Sequence, residues 1–313
     1  MLGKTAGGVF WMLRYMERSE NTARMIDAGL RISLTRSSAA ESEWTSILTA
    51  LGLLGAYHDR HDRIDGARVV NFLLRDKTNP ASVMAAVEAA RTNARMVRTA
   101  LTREVFEAVN ECWMELNTLL ARQVSDQDLP DILATVRQRS AYVRGSLAGT
   151  MVRNDIYNFA RIGTFFERAD NVARVLDVKY YILLPSVRLV GSATDNVQWE
   201  TILRSTSATR AYQTLHENEY DPRMIARFLI LDYRLPRSLA FCYRKIGDNL
   251  EYLARDYGDR VPSHDMVHQI CQRFESSTID RIFDYGLHEF ITEFLSDHQA
   301  LGRQIEVDYR FIE

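Results

Sequence analysis

The sequence predicts an all-α fold, and three observations support this. Proline and glycine are scarce, at 6 and 15 of 313 residues, whereas helix-favouring Ala, Leu, Arg and Glu are abundant. Apolar residues recur at helical spacing from Phe10 onward. Segments of the first half also recur in the second half in the same order. With 46% hydrophobic residues, the chain can form a substantial core.

The first predicted helix covers residues 10–34. At about 100° per residue, Met16 and Ile26 belong to its apolar, core-facing side, whereas Glu17 and Arg24 belong to the opposite polar side. A second helix is predicted over residues 43–59, "EWTSILTALGLLGAYHD". The first half of the chain therefore begins with two consecutive amphipathic helices.

A third helix is predicted after "TNPAS", with Asn79 as its cap and Pro80 at its first position. Further helices are expected through residue 117. The segment "SDQDLPD", residues 125–131, is the best internal break, and a helix over roughly residues 133–150 follows it.

The second half repeats the first. "EWTSIL" matches "QWETIL" at residues 198–203, and "NFLLRDKTNPAS" matches "RFLILDYRLPRS" at residues 227–238. Two copies are too few for an open solenoid, so we expect a bundle whose halves pack about a pseudo-twofold axis. The chain is predicted to form a single domain over 1–313, with repeats of about 1–124 and 150–313 joined by 125–149. Helices over 10–34 and 160–184 should be equivalent.

Polar residues are preserved between the two opening helices, whereas their apolar neighbours differ. Met16 is replaced by Phe166, for example. The following polar pairs are identical: Glu17 and Glu167, Arg18 and Arg168, Asn21 and Asn171, Arg24 and Arg174, Asp27 and Asp177. A solvated helix face would tolerate drift, so these side chains are constrained in both halves.

Two explanations fit this constraint. Buried Glu-Arg pairs can lock the halves together, helped by i, i+4 pairs such as that of Glu20 with Arg24. Alternatively, both helices face one cleft, where guanidinium groups bind a carboxylate or phosphate and Glu17 or Glu167 acts as a base. The explanations overlap, because paired charges also hold a polar cavity in shape.

Other candidate sites are weaker. Arg95 and Arg98 lie near one helix face, which is either a solvated basic surface or an outer wall of the same cleft. No metal site is predicted, because neither His58 with His61 nor His264 with His268 has enough ligands nearby. "GKT" near the start lacks the glycine-rich turn of a phosphate-binding loop.

The bulk composition excludes several classes of protein. Lys and Arg number 39 against 41 for Asp and Glu, so no net field attracts nucleic acid or an anionic membrane. Three scattered cysteines form neither a disulfide framework nor a zinc-finger pattern. No stretch is suited to a signal peptide or membrane span. We therefore expect a cytoplasmic protein; its oligomeric state is left open.

The Glu-Arg motifs, "EWTSIL", "QWETIL" and the run "ARTNARMVRTALTREVFEAVNECW" resemble the α-E domain, a bacterial helical family named for its Glu-Arg motifs. The resemblance covers essentially the whole chain. It implies that the site residues are those of the two motifs: Glu17, Arg18, Asn21, Arg24, Glu167, Arg168, Asn171 and Arg174.

The resemblance also implies a pathway type. Such proteins are commonly encoded beside, or fused to, atypical ATP-grasp ligases, which points to amide-bond formation or peptide modification. We expect the protein to use no cofactor of its own, with ATP consumed by the partner ligase and a peptide as substrate. Enzyme, non-catalytic presenter of a peptide and purely structural subunit remain alternatives.

Overall fold

The computed structural model describes residues 3–35, 40–183, 193–216 and 220–311. Within these ranges the chain forms fifteen α-helices, a 3-10 turn at Arg98–Ala100 and no strand. The all-α prediction is therefore confirmed. Residue 184, the last of the predicted second opening helix, and the outer limits of the two repeats lie outside the described ranges.

The helices of the first half are α1 to α7. Their bounds are α1 Gly3–Thr35, α2 Ala40–Ala50, α3 Leu54–His58, α4 Gly66–Leu74, α5 Val83–Met96, α6 Arg103–Leu119 and α7 Leu129–Thr150.

The helices of the second half are α8 to α15. Their bounds are α8 Asp155–Leu183, α9 Ala193–Ser205, α10 Thr209–His216, α11 Pro222–Leu231, α12 Leu239–Tyr257, α13 Pro262–Ser276, α14 Ile279–Tyr285 and α15 Leu287–Asp308.

The long helices α1 and α8 run side by side through the centre of the molecule. α5 and α7 pack on α1, as α12 and α15 pack on α8. Gly163 allows close approach, because a Cβ at this position would lie 2.3 Å from the carbonyl oxygen of Phe10. Buried apolar residues from both halves form one contiguous core. That the halves arose by duplication and obey a twofold axis stays a prediction.

The structure corrects two local predictions. Residues 43–59 do not form one helix, because Gly52 takes a left-handed φ of 69° and separates α2 from α3. The cap of α5 is Ser82 rather than Asn79, since the Ser82 hydroxyl accepts the hydrogen bond of the Ala85 amide. Asn79 and Pro80 lie in the preceding turn.

Candidate functional site

The two Glu-Arg motifs pair reciprocally across the α1–α8 contact. Arg168 on α8 donates to both oxygens of Glu17, from Nε at 2.9 Å and from Nη2 at 3.0 Å. Arg18 on α1 donates in the same way to Glu167, at 2.5 and 2.9 Å. These two-point contacts match the guanidinium fork to a carboxylate. Each motif therefore needs the other to satisfy its charges.

Glu17 lies in a closed ion cluster. Arg237 approaches Glu17 Oε1 at 3.0 Å and donates to Glu20 Oε1 at 2.9 Å, and Arg144 on α7 also contacts both carboxylates. We call this group the Glu17 cluster; its members are Glu17, Glu20, Asn21, Arg24, Arg144, Arg168 and Arg237. Glu17 and Glu20 are fully buried.

Electrostatics keep Glu17 and Arg237 ionised. Burial acts to raise the pKa of Glu17, but the charges of Arg168, Arg237 and Arg144 outweigh it and hold that pKa well below its usual range. Burial lowers the pKa of Arg237 to about 10, so its guanidinium stays charged at neutral pH. Replacing either partner would leave an uncompensated buried charge.

An open pocket with a volume of about 340 Å³ adjoins the paired motifs. We call it the Glu167 pocket. Its lining residues are Arg18, Asn21, Thr22, Leu51, Gly52, Ala81, Glu167, Asp170, Asn171 and Arg174. Five of the predicted site residues thus meet at one pocket. Of the two predicted bases, Glu167 lines it, whereas Glu17 is enclosed in the Glu17 cluster.

Two buried amides at the Glu167 pocket lack an acceptor. Asn21 and Asn171 are 2% and 8% exposed, and the Nδ2 atom of each has no hydrogen-bond partner. The orientation of Asn21 is fixed, because its Oδ1 accepts from Arg237 at 3.0 Å. A buried donor without a partner costs about 1–3 kcal/mol, so both amides are energetically unsatisfied in this arrangement.

Glu167 is itself buried, whereas the other charged residues of the pocket are only partly enclosed. Arg174 donates to Asp170 at 2.7 Å, and its side chain is 34% exposed. Burial acts to raise the pKa of Asp170, but the charges of His298 and Arg174 and the hydrogen bond from Arg174 lower it overall. Arg14 adds a contact to Glu167 at 2.9 Å. The pocket therefore presents both signs of charge.

Arg24, Arg95 and Arg98 do not line the pocket. Arg24 pairs with Glu20 one turn earlier on α1, at 2.5 and 3.0 Å. Arg95 and Arg98 are exposed, and the Arg98 guanidinium lies 4.8 Å from the centre of the Phe106 ring. Their role as outer anion-binding residues stays a prediction.

The predicted absence of a metal at the histidine pairs also stays a prediction. His264 is buried and contacts the carbonyl oxygen of Leu250, whereas His268 contacts Gln272 at the surface. Within the described ranges, no group of three or more His, Cys, Asp and Glu is placed to hold a metal ion.

Sequence reasoning missed Arg14, Arg144, Arg237 and His298, because none of them belongs to the two Glu-Arg motifs. One signal was present: in the matched segments "NFLLRDKTNPAS" and "RFLILDYRLPRS", Ala81 stands where the second copy has Arg237. A charged residue that only one of two similar segments carries, such as Arg237, is therefore a candidate partner for a buried carboxylate.

Comparison with known proteins identifies the family. The model of the Alpha-E family, described as a predicted alpha-helical domain with a conserved ER motif, matches residues 1–309. Uncharacterized proteins of Mycobacterium bovis and Mycobacterium tuberculosis are 24% identical over 324 residues, which covers 95% of this chain. The chain spans about a third of their length, 35%. No solved structure matches it significantly.

In the part of the chain that the structure describes, no helix combines the length and the apolarity that a membrane span requires. The description of the matching family names a conserved ER motif, and this chain carries Glu-Arg pairs at residues 17–18 and 167–168. Because the match extends over nearly the whole chain, this protein belongs to the Alpha-E family.

Proposed function

We propose that the Glu167 pocket binds a carboxylate or acyl-phosphate group of a peptide, and that the protein acts with an ATP-grasp ligase in peptide modification or amide-bond formation. The observation that carries the proposal is the pair of unpartnered amides, Asn21 and Asn171, beside two arginines that line the same pocket.

The chemistry of the lining supports an anionic group. Arg18 and Arg174 supply guanidinium groups with partly exposed side chains, 28% and 34%. The two amide nitrogens supply neutral donors. Carboxylate and phosphate oxygens accept from both kinds of donor, and guanidinium binds them in a planar two-point contact.

The proposed catalytic role falls to Glu167. It lines the pocket, so a reacting group held by Arg18 would lie within reach of its carboxylate. A base at this position would take a proton from an attacking amine during acyl transfer. Glu17, which we also predicted as a base, would act by fixing Arg168 and hence the relative position of α1 and α8.

A second candidate is a non-catalytic module that presents the peptide to the ligase. One observation favours it: both oxygens of Glu167 already accept from guanidinium groups of Arg14 and Arg18. A carboxylate with these partners is better suited to hold the pocket in shape than to exchange protons.

Calorimetric titration with inorganic phosphate and with acetyl phosphate tests whether the pocket binds an anion. Both should bind the wild-type protein, and Arg174→Lys should weaken binding about tenfold, because lysine cannot make the two-point contact. The control is Arg98→Lys, remote from the pocket. Equal affinity for wild type and Arg174→Lys would reject an anion site at this pocket.

Reconstitution tests the reaction. The protein is combined with an ATP-grasp ligase encoded beside it, the peptide substrate and ATP, and the product is detected by mass spectrometry. Omitting the protein should abolish product formation. Glu167→Gln separates the two candidates: lost turnover with retained peptide binding supports catalysis, and unchanged turnover supports presentation. Full product formation without the protein would reject both.

A further inference from the structure

One cation of the Glu17 cluster, the guanidinium of Arg237, comes from outside the two Glu-Arg motifs. Arg237 precedes α12, which packs on α8, yet its side chain crosses to α1. There it approaches Glu17 at 3.0 Å and donates to Glu20 at 2.9 Å and to the Asn21 Oδ1 at 3.0 Å. Its guanidinium thus fills a site made by one carboxylate, a second carboxylate one turn later and an adjacent amide.

Ala81 occupies the corresponding place in the first half. It directly precedes Ser82, the N-cap of α5, as Arg237 directly precedes Ser238, the N-cap of α12. The two caps share an extended backbone, with φ and ψ of −63° and 155° at Ser82 and −71° and 154° at Ser238. The chain enters both helices in the same way, but one half carries only a methyl group.

That methyl group lines the Glu167 pocket, together with the counterparts of the three groups that hold Arg237. Glu167, Asp170 and Asn171 have the spacing along α8 that Glu17, Glu20 and Asn21 have along α1. Both asparagines leave Nδ2 unpartnered, and in Asn21 the oxygen accepts from a guanidinium. The Glu167 pocket therefore has the same two carboxylates and amide that surround Arg237 in the Glu17 cluster, but Ala81 supplies no guanidinium to it.

The charges agree with this comparison. Among the described residues, the carboxylates of the Glu17 cluster contact four guanidinium groups: Arg24, Arg144, Arg168 and Arg237. Glu167 and Asp170 contact three: Arg14, Arg18 and Arg174. The nearby arginines do not forbid another cation, because Arg237 makes its contacts to Glu17 and Glu20 and stays charged although burial, and then Arg168 and Arg24, lower its pKa.

We propose that the Glu167 pocket is a subsite for the guanidinium group of an arginine, held by Glu167, Asp170 and the amide oxygen of Asn171. The inference deepens the proposed function, since it adds a cationic group to the same ligand. Arg18, Arg174 and the amide nitrogens would take its anionic group. The substrate class is then an arginine-bearing compound, either free arginine or an arginine within a peptide.

Calorimetry with three probes tests the guanidinium subsite in the full chain. Methylguanidinium tests the group alone; free L-arginine and a capped glycyl-arginyl-glycine peptide distinguish the two sources. Wild-type protein should bind methylguanidinium and at least one arginine compound saturably. L-lysine should bind at least tenfold more weakly than L-arginine, because an ammonium group lacks the planar fork.

Ala81→Arg is the decisive variant, because it should place the protein's own guanidinium in the pocket. It should abolish binding of methylguanidinium and raise Tm by about 2 °C or more. Ala81→Met is the matched control: it fills space without charge, so it should reduce binding without raising Tm. A pocket that binds no guanidinium compound, or binds it equally in wild type and Ala81→Arg, would overturn the inference.

Arg237→Ala gives an independent check. Removing this guanidinium should lower Tm, and methylguanidinium should restore part of the loss, whereas methylammonium should not. Failure of rescue would contradict the use of Arg237 as a guide to the ligand. The phosphate experiment separates the two proposals. Binding of phosphate but not of guanidinium compounds would reject the guanidinium subsite and support the anion site. Binding of guanidinium compounds but not of phosphate would reject the anion site alone.

Discussion

The same Glu-Arg pattern forms a closed ion cluster around Glu17 and an open pocket beside Glu167. At the Glu17 cluster, Arg237 and Arg144 enclose the carboxylates, which are almost inaccessible. At the Glu167 pocket, Ala81 stands where the second half has Arg237, and space is left beside the partly exposed side chains of Arg18 and Arg174. One copy of the pattern therefore forms a closed ion cluster, and the other lines an open pocket, which we propose as the ligand site.

This division also relates the two explanations of the repeated motifs. The reciprocal pairs, Glu17 with Arg168 and Arg18 with Glu167, lock α1 against α8. Arg18 and Glu167 also line the pocket. The structural lock and the proposed ligand site therefore share the same side chains, and variants must distinguish the two roles by the ratio of stability loss to binding loss.

Glu17→Gln and Glu167→Gln give the largest expected contrast. Glu17→Gln leaves buried arginines poorly compensated and should lower the free energy of unfolding by about 3–5 kcal/mol. Glu167→Gln should cost less, about 1–3 kcal/mol, because Glu167 contacts two guanidinium groups whereas Glu17 contacts three, so fewer charges lose a partner.

Urea unfolding measures both values. Glu104→Gln, at an exposed position in the first turn of α6, is the control and should change stability by no more than about 0.5 kcal/mol. Equal losses at Glu17 and Glu167 would contradict the division into a closed cluster and an open pocket.

The pH dependence of stability should arise beside the Glu167 pocket. His298 is buried, stacks on Phe166 and pairs with Tyr243, and burial lowers its pKa from 6.5 to about 4. Because the unfolded chain binds this proton more readily, stability is complete above pH 6.5 and falls as pH decreases toward 4. The loss should reach at most ~3 kcal/mol.

Comparison with His298→Gln isolates this effect. In this variant, the free energy of unfolding should no longer fall between pH 6.5 and 4.5. Glu17 does not contribute to the change in this range, because its contribution to stability is lost only below its ordinary pKa of 4.5. At the Glu17 cluster, α7 contributes Ser140 rather than a histidine. The Ser140 hydroxyl donates to the carbonyl oxygen of Met16 and does not change charge between pH 6.5 and 4.5. An unchanged slope in His298→Gln would assign the effect elsewhere.

Both the Glu17 cluster and the Glu167 pocket should depend on the close approach of α1 and α8. Gly163→Ala would place a Cβ 2.3 Å from the carbonyl oxygen of Phe10, and backbone atoms cannot yield as a side chain can. The resulting strain should cost about 1–3 kcal/mol and weaken phosphate binding.

Gly145→Ala is the matched control for this change. It also replaces a helical glycine, but nothing lies within 4 Å of the added Cβ. It should stabilise the protein by roughly 0.5–1 kcal/mol through helix propensity. Thermal unfolding of the two variants checks the contrast; a neutral Gly163→Ala would show that the helices can separate without loss.

The sequence predicted the helical class and the meeting of the motifs, because helical periodicity and repeated polar identities are local signals. It could not predict Arg237 or Arg144 as partners of Glu17, since their approach depends on how α12 and α7 pack. The cap of α5 was misassigned because Asn79 and Ser82 are both good caps, and only the turn geometry selects Ser82.

The smallest stability effects are expected for Arg24→Lys and Arg174→Lys, and they compare the two regions most directly. Each arginine pairs with a carboxylate one helical turn earlier, Glu20 or Asp170, and each is partly exposed. Lysine can retain such i, i+4 pairs, so each change should cost less than about 1 kcal/mol. Their effects on ligand binding should differ, because Arg174 lines the pocket and Arg24 does not.

Phosphate calorimetry on matched samples measures that difference. Arg174→Lys should lose about tenfold in affinity, and Arg24→Lys should bind like wild type. Because both substitutions preserve charge and cost little stability, a difference between them reports the two-point contact of one guanidinium. Equal weakening by both would mean that the Glu17 cluster shapes the pocket as strongly as the pocket's own residues, and the separation of the two regions would fail.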